Sequence, residues 1–248
     1  MSSEHVSATA PALRQILEAR PARRIVEVAA RLRGIVSALP PGDGLRAFST
    51  LYLAVTEAVG ETARPGAYED VRFLRWLDVV FANLYFEALR AFAGGTSPVP
   101  KAWAPLIDAR RRRGILPLQF ALAGMNAHIN RDLPLALVAT CEQRGIELRR
   151  RSPQRRDYRR INVLLARTEK RVKAELVTGV AGDVDIALGR VDDVVAMWNV
   201  ERAREAAWAQ AETLWALRDL PQLRSQLLHS QDRLVGFAGR GLLRPLGS

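Results

Sequence analysis

The chain is 248 residues long and 48% hydrophobic, which suffices for one large domain to bury a core of its own. The single cysteine, Cys141, excludes an intrachain disulfide, and no run reaches the roughly 18 uninterrupted apolar residues that a membrane-spanning helix needs. The net charge of +11 suggests an anionic partner, but only three of the 37 basic residues are lysines, and this arginine skew is typical of a high-GC genome, so nucleic-acid binding is not expected.

Helical periodicity dominates the sequence, and no pair of alternating apolar and polar stretches indicates a β-hairpin. Breaks rich in glycine and proline separate the helices. We therefore predict an all-α fold, a compact multi-helix bundle of about 8–10 helices around a central buried helix. The predicted helices span residues 11–19, 22–38, 44–61, 69–92, 103–113, 117–131, 133–145, 156–177, 191–218 and 220–235.

The domain organisation follows from these breaks. Residues 1–10 are polar and lack the basic and apolar regions of a signal peptide, so we predict a flexible N-terminus there. No later break is strong enough to separate two domains, so residues 11–248 are predicted to form a single helical domain. The lone cysteine and the absence of a secretion signal predict a cytoplasmic protein.

All five asparagines fall inside predicted helices rather than in the loops between them. Asparagine is a poor helix former that prefers caps and turns, so local propensity does not explain this placement. We expect contacts between helices, or a ligand, to explain it. The five are Asn83, Asn126, Asn130, Asn162 and Asn199.

The most apolar segment, residues 116–137, carries two polar stripes on opposite sides. A helix that is apolar on nearly every face is expected to be central and buried. Burying a polar group without a partner costs about 1–3 kcal/mol, so each stripe must meet polar neighbours, water or a ligand. The first stripe comprises Gln119, Asn126 and Asn130, and the second comprises His128, Arg131 and Asp132.

Pro134 leaves two possibilities for the end of this helix. If the helix continues through Pro134, the carbonyl of Asn130 loses its partner and is free to bind another group. Alternatively, the helix ends near Arg131, and Asp132 caps a second helix that has Pro134 in its first turn.

We predict an interior polar pocket centred on His128 that binds a small or lipid-like molecule. Other predicted helices carry polar side chains that can face this pocket, among them Asp78 and Tyr85 at i, i+7 spacing. The predicted substrate-binding residues are Asn126, Asn130, Asn83, Tyr85, Asn162, Trp198 and Arg202.

Three hypotheses account for this constellation. In a metal-free acid/base site, His128 carries the proton, because its ordinary pKa lies near neutrality, and Asp132, Arg131 and Asp78 complete the catalytic set. In a metal site, His128 and Asp132, one helical turn apart, hold one divalent metal. In the third, the residues form a satisfied polar network that fixes the register of the helices.

The arginine-rich segments offer an alternative function. Arginines crowd residues 110–113 and 144–160. Such clusters suit contacts with an anionic partner, although they also suit solvated helix ends. The alternative is a non-catalytic helical interaction module that binds through this surface.

Three strings, residues 77–86, 124–134 and 191–198, resemble a family of helical proteins common in actinobacteria and known only as a domain of unknown function. The resemblance covers the chain from about Ile25 to Pro245. It implies the helical fold and an actinobacterial origin but no chemistry. The most specific string reads Gly124-Met125-Asn126-Ala127-His128-Ile129-Asn130-Arg131-Asp132-Leu133-Pro134.

Overall fold

The structure is a computed structural model that describes residues 3–94, 97–178 and 199–245. Every regular element in these ranges is a helix, which confirms the all-α prediction, and none of the helices is long and apolar enough to cross a membrane. The helices are α1 (Ser3–Glu18), α2 (Ile25–Ala38), α3 (Gly44–Thr62), α4 (Val71–Phe92), α5 (Ala104–Ala109), α6 (Pro117–Ala127), a π turn (His128–Asp132), α7 (Leu133–Arg144), α8 (Pro153–Thr178), α9 (Val200–Ala216) and α10 (Pro221–Leu242).

Helix α6 is the predicted central helix. Every residue from Leu118 to Ala127 is buried, because α3, α8 and α10 pack around α6. Gly124 lets α3 come close, since a Cβ at this position would lie 2.3 Å from the Phe48 ring. The glycine at position 124 thus allows α3 and α6 to pack closely at Phe48.

Side-chain caps begin three of the surrounding helices. Asp43 accepts a hydrogen bond from the backbone N–H of Leu45 at the start of α3, and Asp70 does the same for Phe73 in α4. Asn199 caps α9, so this asparagine stands at the position that its residue type prefers. The prediction that all five asparagines lie within helices is therefore wrong for Asn199.

The chain passes through Pro134 without a break, which confirms the first of the two possibilities for this helix. The π turn makes this possible: the N–H of Leu133 donates to the carbonyl of His128, five residues back. Pro134 has no N–H to donate to the carbonyl of Asn130, as expected, and this carbonyl accepts a hydrogen bond of 2.5 Å from Nε2 of Gln231 in α10. Asp132 has helical dihedral angles and makes no side-chain cap hydrogen bond, so the predicted cap is wrong, although Pro134 does lie in the first turn of α7.

Several helix ends differ from the sequence-based boundaries, among them one end each of α1 and α10. Helix α1 begins at Ser3 rather than near residue 11 and passes through Pro11. Helix α10 continues through Gly236 and Gly239 to Leu242, beyond the predicted end at residue 235. Both glycines are buried, and a Cβ at Gly236 would lie 2.3 Å from the carbonyl oxygen of Lys101. Close packing, not chain flexibility, explains Gly236.

Candidate functional site

The carboxylate of Asp132 is completely buried and accepts three hydrogen bonds. Trp103 Nε1 and His128 Nδ1 each lie 3.0 Å from Oδ2, and Arg131 donates to Oδ1 at 2.6 Å. The Arg131 guanidinium compensates the buried negative charge, as such a site requires. The second predicted stripe is therefore a connected cluster, built across the π turn that brings His128 and Asp132 onto one face.

The bond to Asp132 sets the tautomer of His128. A carboxylate only accepts hydrogen bonds, so Nδ1 carries the hydrogen of the neutral ring and Nε2 carries the free lone pair. Burial lowers the pKa of His128, although Asp132 opposes this shift, so the neutral ring is favoured. Nε2 is buried and has no hydrogen-bond partner.

Aromatic rings fix the plane of the imidazole. The Phe81 ring stacks on it, with centroids 3.5 Å apart and planes within 5° of each other. Tyr52 meets it edge-on at 4.5 Å. The orientation of Nε2 is thus set by packing as well as by the bond to Asp132.

His128 lines a cavity of about 100 Å³ between α3, α4, the π turn, α8 and α9. Most of the wall is aliphatic or aromatic, including Phe48, Leu77 and Ile161. The polar side chains in the wall are those of Tyr52, Asp78, His128 and Arg204.

Two of these four side chains present a buried polar atom that has no partner, Nε2 of His128 and Oδ2 of Asp78, whereas the buried hydroxyl of Tyr52 interacts with the Thr56 side chain. Burial raises the pKa of Asp78 from 3.8 to about 7 and holds the pKa of Tyr52 well above its ordinary value. Unsatisfied buried polar atoms are rare in folded proteins, and two of them belong to residues that line this cavity.

Arg204 is held rigidly in the wall. Its Nε donates to Oδ1 of Asn162 at 2.7 Å, and its guanidinium lies 4.0 Å from the centre of the Tyr158 ring. Asn162 therefore contacts the site indirectly, through Arg204. Its own Nδ2 is buried and has no partner.

Four of the predicted substrate-binding residues instead make hydrogen bonds to other residues of the fold. Asn126 donates to the carbonyl of Val235 in α10 at 2.9 Å and accepts from Asn130 at 3.0 Å. Asn83 both donates to and accepts from the backbone of Ala22, and the hydroxyl of Tyr85 lies 2.7 Å from that of Ser49. The polar stripe that contains Asn126 and Asn130 thus binds α10 to the central helix.

Of the two remaining substrate-binding predictions, Arg202 does not line the cavity. The Arg202 side chain is exposed, whereas Arg204, two residues later, lies on the buried face of α9 together with Trp208. Trp198 lies outside the described residues.

Four residues of the site are not among those predicted from the sequence: Tyr52, Phe81, Trp103 and Arg204. Tyr52 lies one turn after Phe48 on the apolar face of α3, and Arg204 lies one turn before Trp208 on that of α9. A polar residue on an otherwise apolar face was therefore an available signal for both residues. Trp103 lies in a turn before α5, and no periodicity points to it.

The site has few free ligand atoms for the predicted divalent metal. The pair His128 and Asp132 comes together as expected, but both oxygens of Asp132 already accept hydrogen bonds. Within residues 3–94, 97–178 and 199–245, no three His, Cys, Asp or Glu side chains form a group that suits a metal ion.

The arginine-rich segments are partly neutralised within the chain. Arg110 pairs with Asp43 at 2.5 Å, and Arg156 pairs with Glu69 at 2.6 Å. Arg155 pairs with Glu205. These contacts leave fewer free cations for an anionic partner than the sequence suggested.

Residues 25–245 match a family described as "Family of unknown function (DUF5995)". These bounds agree with those of the resemblance noted in the sequence. No curated protein and no solved structure matches the chain.

The Asp78→Asn variant tests the burial of the Asp78 carboxyl. Because the pKa of this carboxyl is about 7 in the folded protein against an ordinary 3.8, the folded state binds the proton more tightly, and stability is lost as the pH rises between these values. The free energy of unfolding of the wild type, relative to Asp78→Asn, should fall by about 2–3 kcal/mol between pH 5 and pH 8. Urea denaturation followed by tryptophan fluorescence measures it.

Titration of His128 occurs in both proteins and cancels in this difference. The matched control is Asp108→Asn, at an exposed carboxylate in α5, which should give the same difference at both pH values. A pH-independent difference between wild type and Asp78→Asn would contradict the assigned environment.

Proposed function

The chain belongs to the DUF5995 family, whose function is unknown, and we propose that its cavity binds a small apolar molecule with one hydroxyl or carbonyl group. We further propose that His128 transfers a proton to or from this molecule. The observation that carries the proposal is the unpartnered Nε2 of His128, a residue that lines the cavity and whose ring is held by the bond from Nδ1 to Asp132 and by the stacked Phe81.

The size and lining of the cavity support the ligand class. An engineered apolar cavity of about 150 Å³ binds benzene. A cavity of about 100 Å³ therefore takes a ring of at most about that size, or the end of a longer lipid-like chain. The apolar wall favours a hydrocarbon body, and the few polar atoms favour one oxygen-bearing group.

The chemistry follows from the two titratable groups. His128 Nε2 accepts a proton from the ligand, and the Asp132 carboxylate stabilises the imidazolium that forms. Asp78, with a pKa of about 7, keeps a proton on part of the molecules at neutral pH and donates it to the ligand oxygen. One proton leaves the ligand and one arrives, so a ketone becomes its enol without a net change in charge.

Cys141 supports the cytoplasmic location as part of the same proposal. Cys141 is the single cysteine of the sequence, so its thiol has no second thiol in the chain to pair with. Burial raises the pKa of this thiol to about 12, so it has little thiolate character. The arginine skew and the resemblance support the actinobacterial origin.

Binding of phenol and toluene tests the recognition step. Phenol can donate its hydroxyl to Nε2, whereas toluene has nearly the same shape and no donor. In isothermal titration calorimetry the wild type should bind phenol about tenfold more tightly than toluene, the value of one buried hydrogen bond. In His128→Leu the order should reverse, because phenol then buries an unpaired hydroxyl.

The matched control for this test is Thr140→Val, which removes another buried, unpartnered hydroxyl that does not line the cavity. This variant should keep the preference for phenol. Equal affinities in the wild type, or an unchanged preference in His128→Leu, would rule out Nε2 as the recognition group.

Exchange of the α-hydrogens of cyclopentanone in D₂O tests the proton transfer separately. Followed by NMR, the wild type should accelerate exchange over buffer by about 10²-fold or more, the usual contribution of a positioned acid or base. His128→Leu should return to the buffer rate, Asp78→Asn should lose part of the acceleration, and Thr140→Val should retain it. If the wild type binds phenol but the α-hydrogens of cyclopentanone exchange at the buffer rate, the protein binds the ligand without catalysing proton transfer, and the proposed catalysis is refuted.

A further inference from the structure

One side of α10 carries an apolar stripe that is largely uncovered in the described structure, although its member Leu227 packs partly against the core. Its residues recur at alternating spacings of four and three, which places them on one side of the helix. Leu234 and Phe237 are 69% and 71% exposed, more than any other large hydrophobic side chain that the structure describes. The stripe comprises Leu223, Leu227, Ser230, Leu234 and Phe237.

Three cations border the exposed end of this stripe. Lys101, Arg233 and Arg240 line the same surface hollow as Leu234 and Phe237, and no acidic side chain lines it. The one acidic residue of α10, Asp232, is engaged elsewhere: its carboxylate accepts hydrogen bonds from the backbone N–H groups of residues 101 and 102. The surface thus combines protruding apolar side chains with uncompensated positive charge.

We propose that this face of α10 is a docking surface for an anionic lipid bilayer. Leu234 and Phe237 enter the boundary between headgroups and acyl chains, and the three cations contact lipid phosphates. Amphipathic helices that lie in a membrane surface combine these two features, and juxtaposed cations are attracted to anionic lipid. The arginine and lysine stems allow the charged ends to stay at phosphate level while the apolar side chains go deeper.

The charge distribution favours a lipid surface over a second copy of this chain. A dimer formed along the stripe would bring Arg233 and Arg240 of both copies together with no acidic partner on the same face. Ser230, in the middle of the stripe, would also leave the seam poorly packed. An anionic bilayer complements the charge and does not require a matching seam.

The surface is preformed, because the inner side of α10 is firmly attached. Gly236 packs against the Lys101 carbonyl, and the Val235 carbonyl accepts from Asn126. Binding therefore needs no folding step, which would otherwise weaken it. None of the stripe residues lines the cavity at His128, so docking is independent of the proposed chemistry.

Cosedimentation of the full chain with vesicles tests the proposal. The vesicles are phosphatidylcholine alone or phosphatidylcholine with one third phosphatidylglycerol. The wild type should bind the anionic vesicles, and binding should weaken with salt. The double variant Leu234→Ser with Phe237→Ser should lose about tenfold or more in affinity, because two inserted apolar side chains are removed. Arg233→Gln with Arg240→Gln should lose about tenfold and most of the salt dependence.

Matched controls separate this surface from the general positive charge of the chain. Val163→Gln removes an apolar side chain that is 60% exposed on α8, and Arg149→Gln with Arg151→Gln removes two exposed charges elsewhere. Both should bind anionic vesicles like the wild type. His128→Leu should also bind normally, and the Leu234/Phe237 double variant should keep cyclopentanone exchange, so failure of either proposal is recognisable.

Three results would overturn the proposal. The first is a wild type that ignores anionic vesicles. The second is a Leu234/Phe237 variant that binds them no worse than Val163→Gln. The third is a wild-type dimer in sedimentation that this double variant dissociates while neither protein binds vesicles, since the stripe would then be an interface between copies.

Discussion

The buried carboxylate of Asp132 is the group on which the arrangement of the site depends. An isolated buried charge is costly, so it requires donors, and the chain supplies them from Trp103, His128 and Arg131. The π turn places His128 and Asp132 on one face, and Pro134 explains why a regular helical turn is absent there. Pro134 cannot donate a hydrogen bond to the Asn130 carbonyl, and the side chain of Gln231 donates one instead.

The two polar stripes of the central helix illustrate two different uses of buried polarity. On the side of Asn126 and Asn130, the side-chain amides and the freed Asn130 carbonyl are bonded to one another or to α10, which is the behaviour of a structural network. On the side of His128, the bonds stop at the imidazole, and Nε2 has no partner. This side of the helix thus differs from the other in that an unpaired polar atom belongs to a residue that lines the cavity.

Much of the fold could be predicted from the sequence, because helical periodicity and glycine or proline breaks are local signals. The central helix, its two stripes and the free Asn130 carbonyl followed from spacing alone. The cavity wall did not, because it depends on which helices pack together: Tyr52 and Arg204 look like ordinary members of their helices, and Asn83 was as plausible a ligand contact as Asp78. The end of α10 was misjudged because Gly236 has the same signature whether it breaks a helix or allows close packing.

The central claim is that Asp132 holds His128 as a neutral ring with its free lone pair at Nε2. Long-range ¹H–¹⁵N NMR of the protein labelled at histidine measures this directly, with His128 assigned by its loss in His128→Leu. At pH 7.5 the account predicts a protonated Nδ1 and an unprotonated Nε2. An imidazolium, or a neutral ring with its hydrogen at Nε2, would contradict it.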